Sequence, residues 1–382
     1  MGRTLRELRP VRVVGIGLHR YQRMSETSFV TLGLTAVREA LTDAGLEWSN
    51  VESVYNGTAL LGLAPTRVML RHLGATGIPM AQVENASASG STAFAQACFE
   101  VASGISDVVL AMGVDKPAPI AIAAAKAGIR DLVGSRVSPM THFALLTNEY
   151  MHRYGVRPEQ VAQVAVKNSR NGAANPYAQR QKARTLEQVL APPQISGALT
   201  RLQCCPIGEG AAAVIVASDD AIARLGLESE RAPRVLASVT RTERVYPGAK
   251  NFDAELTRET TSLAYEQAGV GPQDLDLIEC HDAFAIEELL YVEAMGLCGE
   301  GEGAAMLASG DTAIGGRCAV SPSGGLLSMG HPIGPTGAGQ ICELTRQLRG
   351  EAGIRQQPGA RTGLAHMVGI GAVCVVHVLQ AG

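Results

Sequence analysis

Residues 320–341 read VSPSGGLLSMGHPIGPTGAGQI, and the rest of the chain is organised around this stretch. A paired glycine, Gly324-Gly325, leads to Gly330-His331-Pro332, and a second glycine-rich turn opens into an apolar-periodic helix near Gly337. His331 is therefore expected in a tight turn just ahead of a helix. Glycine permits close backbone approach and positive φ there. A helix start offers free N–H groups that favour negative charge. A histidine held in such a setting suits general-base work. A glycine-rich connection with an incidental histidine is the plainer reading of the same residues.

Outward from this turn, composition narrows the class. The chain has 382 residues, enough for more than one domain. Hydrophobic residues make up 46%, charged residues 18%, and there are 43 glycines, as in an α/β protein rich in turns. Aromatic residues are 4% and the net charge is −3, so neither a base-stacking surface for nucleic acid nor an anionic membrane partner is indicated. Eight cysteines are scattered without a CxxC pair, which speaks for reduced thiols in a cytoplasmic enzyme and against a metal cage. The N-terminal MGRTLRELRP lacks an apolar signal-peptide core, Arg6 spoils a myristoylation match, and no apolar run is long enough to span a membrane.

Two passes of one plan are visible. Residues 11–17 read as a buried strand ending in a glycine turn, and 27–45 as an amphipathic helix with Thr27 as N-cap and Gly45 as its stop. A strand from Val51, a helix over 66–74, the turn VENASASGS, a helix to Gly104 and a strand at 108–113 follow. Residues 116–200, from PAPIAIAAAKAGIRD onward, change character and read as an inserted, mostly helical segment. The strand AAAVIVA at 211–217 returns to the first plan. After a charged bridge at 226–232 the second half repeats the order: strand 234–239, helix 258–269, a strand ending at Leu277-Ile278-Glu279, the opening turn with its helix to about Arg349, and strands over 364–379. The expected units are 1–115 with 201–225, the insert 116–200, and 233–382. A pseudo-two-fold relation would bring both glycine-turn helices to one crevice.

Four turns then carry candidate chemistry. Ser87 lies ahead of a helix, although Ser87, Ser89 or Ser91 could simply be its N-cap. Glu279-Cys280-His281-Asp282 ends a hydrophobic strand, with His281 able to donate to an oxyanion or hold a water, and Asp282 a possible cap of the helix bearing Glu287, Glu288 and Tyr291. His331 is the third, and His366-Met367-Val368-Gly369-Ile370-Gly371 the fourth, where the Gly369 N–H is a possible donor.

Together, VENASASGSTA, VKNSRNGAANPYAQ, LQCCPIGEGAAAVIVAS, ECHDAFAIEELLYVEAMGLC and GGLLSMGHPIGPTG resemble the thiolase superfamily, in particular its sterol-carrier-protein-type members, from residue 11 to the end. The resemblance implies the thiolase fold: two βαβαβαββ halves in a five-layer αβαβα sandwich with an inserted loop domain. It implies acyltransfer on 3-oxoacyl-CoA thioesters with coenzyme A as cosubstrate, no covalently bound cofactor and no metal. A homodimer or larger assembly is implied, with a separate small zinc-ribbon/OB-fold acyl-CoA-binding subunit as a possible partner. Carried over residue by residue, His331 activates the nucleophile, and His281 stands where other members hold an oxyanion-hole water. Gly369 and residue 87 supply oxyanion N–H groups, and Gly325, Gly330, Phe284 and Met367 line the substrate.

Two positions depart from the family pattern. Ser87 stands where the nucleophilic cysteine belongs, and Ala283 and Met367 stand where members place their second acid/base cysteine. Cys280 should point elsewhere. A Cys→Ser form of a thiolase, a retro-aldolase acting on a CoA thioester, a silent acyl-CoA-binding subunit and a slow serine acyltransferase all fit Ser87. Thiolase-like steroid aldolases tend to carry tyrosines where this chain keeps its two histidines. The acyl group is not legible; aromatic, steroid-side-chain and branched 3-oxo acids are open, benzoylsuccinyl-CoA among them.

Overall fold

The structure is a computed structural model that describes residues 4–118, 138–248, 251–370 and 373–382. Ten strands form its main sheet: β1 (Val11–Gln22), β2 (Ser53–Gly57), β3 (Met80–Val83), β4 (Val108–Asp115), β5 (Glu209–Ser218), β6 (Arg234–Thr242), β7 (Leu277–Glu279), β8 (Ala319–Val320), β9 (Thr362–Gly369) and β10 (Val373–Gln380). Seven helices of ten or more residues accompany them among the described residues: α1 (Phe29–Ala44), α2 (Ser89–Ser103), α3 (Pro139–Tyr154), α4 (Pro158–Ala173), α5 (Phe252–Ala268), α6 (Ala285–Ala294) and α7 (Thr336–Leu348).

The duplication read from the sequence is present strand for strand. The first half runs β3-β2-β4-β5-β1 and the second β8-β7-β9-β10-β6. In each half the first three of these strands are parallel and the other two pairings antiparallel. The halves join edge to edge through one residue pair, Arg12 with Arg234, and the Val13 N–H donates to the Pro233 carbonyl at 2.9 Å.

Strand alternation sorts the core into layers. Ala111, Val214 and Val216 of the first half and Leu277, Ala365 and Leu379 of the second face one shared core with Phe94 and Cys98 of α2 and Ile341 and Leu344 of α7. The alternate residues Leu110, Met112 and Ile215 face α1 through Leu32, Val37 and Ala40. Ile278, Val376 and Val378 face α5 through Leu256 and Ala264. This is the five-layer order, with α2 and α7 in the middle. Each large aliphatic side chain so buried contributes roughly 1.5–3 kcal/mol.

Several local readings are corrected. β1 does not end at its glycines but continues to Gln22. A Cβ on Gly15 or Gly17 would collide with the backbone of α1 at Ala40 or Ala36, so these glycines let the helix lie flat on the strand. The N-cap of α1 is Ser28, whose Oγ accepts from the Thr31 N–H at 3.1 Å, rather than Thr27. Helix α5 starts six residues earlier than expected, capped by Asn251. The helix expected over 66–74 is confined to Pro65–Leu70.

Between Asp115 and Glu209 no described residue belongs to the main sheet. Its described part is α3, α4, a short helix Leu186–Leu190 and a hairpin of Gln194–Ser196 with Leu199–Thr200. Most of PAPIAIAAAKAGIRD lies outside the described residues, as does Gly371. Val161 and Ala165 of α4 pack on Phe284, Leu289, Leu326 and Leu327, which seats the insert against the second-half turns. No described helix is long and apolar enough to cross a membrane.

Candidate active site

The central helices α2 and α7 meet at their N-terminal ends. A Cβ on Gly337 would lie 2.5 Å from the Ser91 nitrogen, and one on Gly90 2.5 Å from the Gly334 carbonyl oxygen. Only glycine allows this approach. The turns ahead of the two helices, bearing Ser87 and His331, are thereby brought face to face.

Ser87 is buried, and its Oγ lies 3.0 Å from Nε2 of His331. Its predecessor Ala86 is held in the left-handed region at φ 48°, which a non-glycine residue adopts at some cost. No serine side chain caps α2: the N-cap is Ala88, and Ser89 Oγ accepts from the Asn85 N–H and donates to the Ala86 carbonyl. The N–H groups of Ala88 and Ser89 donate to the carbonyls of Asn85 and Ala86, at 2.9 and 3.1 Å, and so are not free.

The tautomer of His331 follows from its other neighbour. The Thr336 hydroxyl donates its only proton to the Pro332 carbonyl at 2.5 Å. Thr336 Oγ1 can then only accept from His331 Nδ1, 2.9 Å away. Nδ1 carries the hydrogen, and Nε2 presents a lone pair to the Ser87 hydroxyl. Burial, reinforced by nearby His281, pulls the proton affinity of His331 well below the ordinary imidazole range. His331 is thus a neutral imidazole with a fixed orientation.

Asp115 at the end of β4 locks this turn. Its carboxylate accepts from the Gly334 N–H at 2.6 Å, the Thr58 hydroxyl at 2.6 Å, and the N–H groups of Leu60 and Ala59. Burial raises its pKa although every one of these bonds opposes the shift.

His281 faces His331 edge-on, with ring centroids 5.5 Å apart. Its Nδ1 donates to Glu287 Oε1 at 2.8 Å, and its buried Nε2 has no hydrogen-bond partner among the described residues. Glu287 also accepts from the Phe284 N–H and the Tyr291 hydroxyl. Asp282 does not cap α6, whose N-cap is Phe284. It accepts instead from the Leu326 N–H and Asn168 Nδ2, each at 2.6 Å, and so anchors the Gly325–Ser328 turn to α4. Cys280 points away, its Sγ 3.7 Å from Ser321 Oγ, and burial pushes its thiol up.

The remaining predicted positions fall as follows. Gly369 ends β9 beside the turn before Ser87; a side chain there would strike the Asn85 carbonyl oxygen. Met367 is fully buried with Ala88, Val373 and Val375. Phe284 stacks on Phe143 at 4.5 Å. Gly325 (φ 59°) and Gly330 (φ 110°) occupy left-handed turns, the first tight against the Asp282 carboxylate.

Sequence reasoning passed over Thr336 and Asp115, and named His366 within the fourth turn without giving it a role. His366 is fully buried between the His281 N–H at 3.5 Å and the Thr257 hydroxyl at 3.0 Å, behind the site. A hydroxyl residue at a helix start and an acid closing an apolar strand were the signals that could have found the first two.

Comparisons with known proteins place this chain in a family. The thiolase N-terminal domain model matches residues 16–187, and the thiolase C-terminal domain-like model residues 240–381. Sterol carrier protein 2 of Gallus gallus is 38% identical over 408 residues, covering 98% of this chain and 72% of that protein. The benzoylsuccinyl-CoA thiolase subunit BbsB of Thauera aromatica is 35% identical over 372 residues, 95% of each. The solved Ltp2-ChsH2(DUF35) aldolase superposes with a TM-score of 0.82 at 24% identity, over 97% of this chain and 98% of that one, a likeness of fold. With both halves matched in order and relatives aligned along nearly all of its length, the chain belongs to the thiolase family.

Proposed function

We propose that this chain transfers acyl groups between a 3-oxoacyl-CoA and coenzyme A, with Ser87 as the acyl acceptor and His331 as its base. The observation that carries the reading is the 3.0 Å contact between Ser87 Oγ and the lone-pair-bearing Nε2 of His331. A hydroxyl is a weaker nucleophile than a thiol, so a preset, neutral base matters more here than beside a cysteine. In this reading the residue 87 and Gly369 N–H groups hold the oxyanion of the serine adduct, and His281 faces the thioester. The likeness to BbsB, a thiolase subunit named for a CoA thioester, supports both a thioester substrate and a multi-subunit assembly. The Ltp2-ChsH2(DUF35) aldolase is named for two components, which also fits a small partner protein.

The test is a comparison of the chain with its Ser87→Cys and Ser87→Ala forms on acetoacetyl-CoA and an aromatic 3-oxoacyl-CoA, each with coenzyme A. Expected are an acyl adduct on Ser87 by mass spectrometry, its absence in Ser87→Ala, and faster thiolysis by Ser87→Cys. Inertness of both the serine and cysteine forms, with acyl-CoA still bound, would identify a silent binding subunit instead.

A second reading is a retro-aldol lyase. It is favoured by the absence of cysteine at positions 283 and 367 and by the poor thioester-accepting power of a hydroxyl. Cleavage of a 3-hydroxyacyl-CoA that needs no added coenzyme A would select it.

A further inference from the structure

The acyl-transfer reading leaves one proton without a carrier. Cleaving the bond between C2 and C3 of the substrate leaves an enolate that must be protonated at C2, and the incoming coenzyme A thiol must lose a proton. His331 is already committed to Ser87. Position 283 is alanine, and position 367 is a methionine buried in an apolar cluster; neither can exchange a proton. Cys280 turns its thiol toward Ser321. Cys205 sits beside this turn, its N–H donating to the Ala283 carbonyl at 2.7 Å, and its thiol, which desolvation pushes up, is the rival that a Cys205→Ser variant tests.

What the site does contain is a histidine nitrogen with nothing bonded to it. The His281 side chain is 7% exposed and Glu287 is 0% exposed, and the two are joined at 2.8 Å. Glu287 is itself fixed by the Phe284 N–H at 2.8 Å and the Tyr291 hydroxyl at 3.1 Å. Nδ1 is therefore held as a donor and the ring cannot turn freely. Nε2 is left buried and unpartnered on a ring edge-on to His331. Leaving a buried polar atom unmade is costly unless a ligand completes it.

The geometry points to His281 as the acid–base group that moves the proton at C2 of the thioester, with Glu287 as its positioning residue. This rests on the acyl-transfer reading for its place in the cycle. Ser87 Oγ bonds to C3 while its proton passes to His331 Nε2. The C2–C3 bond breaks and its electron pair stays on C2 as the enolate. His281, which enters the cycle as an imidazolium beside the Glu287 carboxylate, gives C2 the proton on Nε2 and becomes neutral with its hydrogen on Nδ1, and the shortened acyl-CoA leaves. Coenzyme A enters and its thiol returns a proton to His281. The thiolate then attacks the Ser87 ester, and the departing Ser87 oxygen recovers its proton from His331. Each group ends as it began.

Deuterium exchange isolates this step, because proton transfer at C2 needs no nucleophile. The full chain, in D2O with acetyl-CoA and separately with butyryl-CoA, is expected to return thioester deuterated at C2. His281→Asn should lower exchange by about 100-fold. Glu287→Gln should lower the exchange turnover about tenfold while the half-saturating thioester concentration stays within about twofold, whereas a general loosening would move both. Circular dichroism and thermal melting confirm that each variant is folded. Exchange that survives in folded His281→Asn, or that is lost in Cys205→Ser, would overturn the assignment, as would no exchange by the unmodified chain on either thioester. Exchange without any Ser87 adduct would instead sink the acyl-transfer reading and leave His281 in place.

Discussion

Ser87 Oγ and His331 Nε2 stand 3.0 Å apart although 244 residues separate them, because α2 and α7 cross on Gly90 and Gly337. The contact is a product of two turns and one helix crossing, and each can be disturbed separately.

Thr336 sets the tautomer. In Thr336→Val, His331 Nδ1 loses its acceptor and the Pro332 carbonyl its donor. Acylation of Ser87 is expected to slow by about 10–100-fold, as for loss of an orienting partner of a base. Stability should fall by only ~1–2 kcal/mol. Adduct formation followed by mass spectrometry, beside chemical denaturation, measures the two effects; equal acylation rates would refute the tautomer argument.

Gly337 sets the distance. An alanine there would press on the Ser91 backbone nitrogen, which cannot move aside without shifting α2. Gly337→Ala is expected to cost on the order of 2–3 kcal/mol by overpacking and to remove most of the Ser87 reactivity. A variant of unchanged stability and reactivity would show that the helices have more room than this.

The pH dependence of Ser87 acylation follows from the environment of His331. Burial and His281 keep its folded proton affinity well below 6.5. The base therefore stays neutral as pH falls from 8 to about 6, and no loss of rate from its protonation is expected in that window. For stability the sign is the reverse of a salt-bridged histidine. The unfolded chain takes up the proton first, so stability held above about pH 6.5 declines as pH drops below it. Acylation rates and melting temperatures across pH 5–8 test both.

Glu279 works in the opposite direction. Burial first, and the charge of Glu343 second, raise its pKa from 4.5 to about 8, while hydrogen bonds from the Ser323 N–H and hydroxyl hold it in place. The folded state keeps this proton where the unfolded chain has lost it, so its contribution to stability shrinks as pH rises from 4.5 toward 8. Glu279→Gln should remove this slope, leaving the variant relatively more stable at pH 8 than at pH 5 when each is compared with the unmodified chain. Melting temperatures of both proteins at the two pH values decide it; parallel curves would refute it.

The repeated strand–helix pattern was legible because buried strands and amphipathic helices impose periodicities that composition alone does not blur. VVLAMG and AAAVIVA announce strands, and the Gly45, Gly104 and Gly269 stops end helices α1, α2 and α5 where expected. Less legible was the purpose of a given small or polar residue. Gly15 and Gly17 read as a turn but serve a helix lying on the strand, and Asp282 read as a cap but anchors a neighbouring turn.

The sequence by itself determined the duplicated α/β plan, the family resemblance and the turns that bear Ser87, His281 and His331. Those follow from local patterns of apolar, glycine and turn residues. Only the tertiary structure decided which nitrogen of His331 faces Ser87, that Glu287 holds Nδ1 of His281, and that Asp115 holds the His331 turn. These depend on contacts between residues distant in the chain, and hydrogen-bond direction is fixed only when both partners are in place.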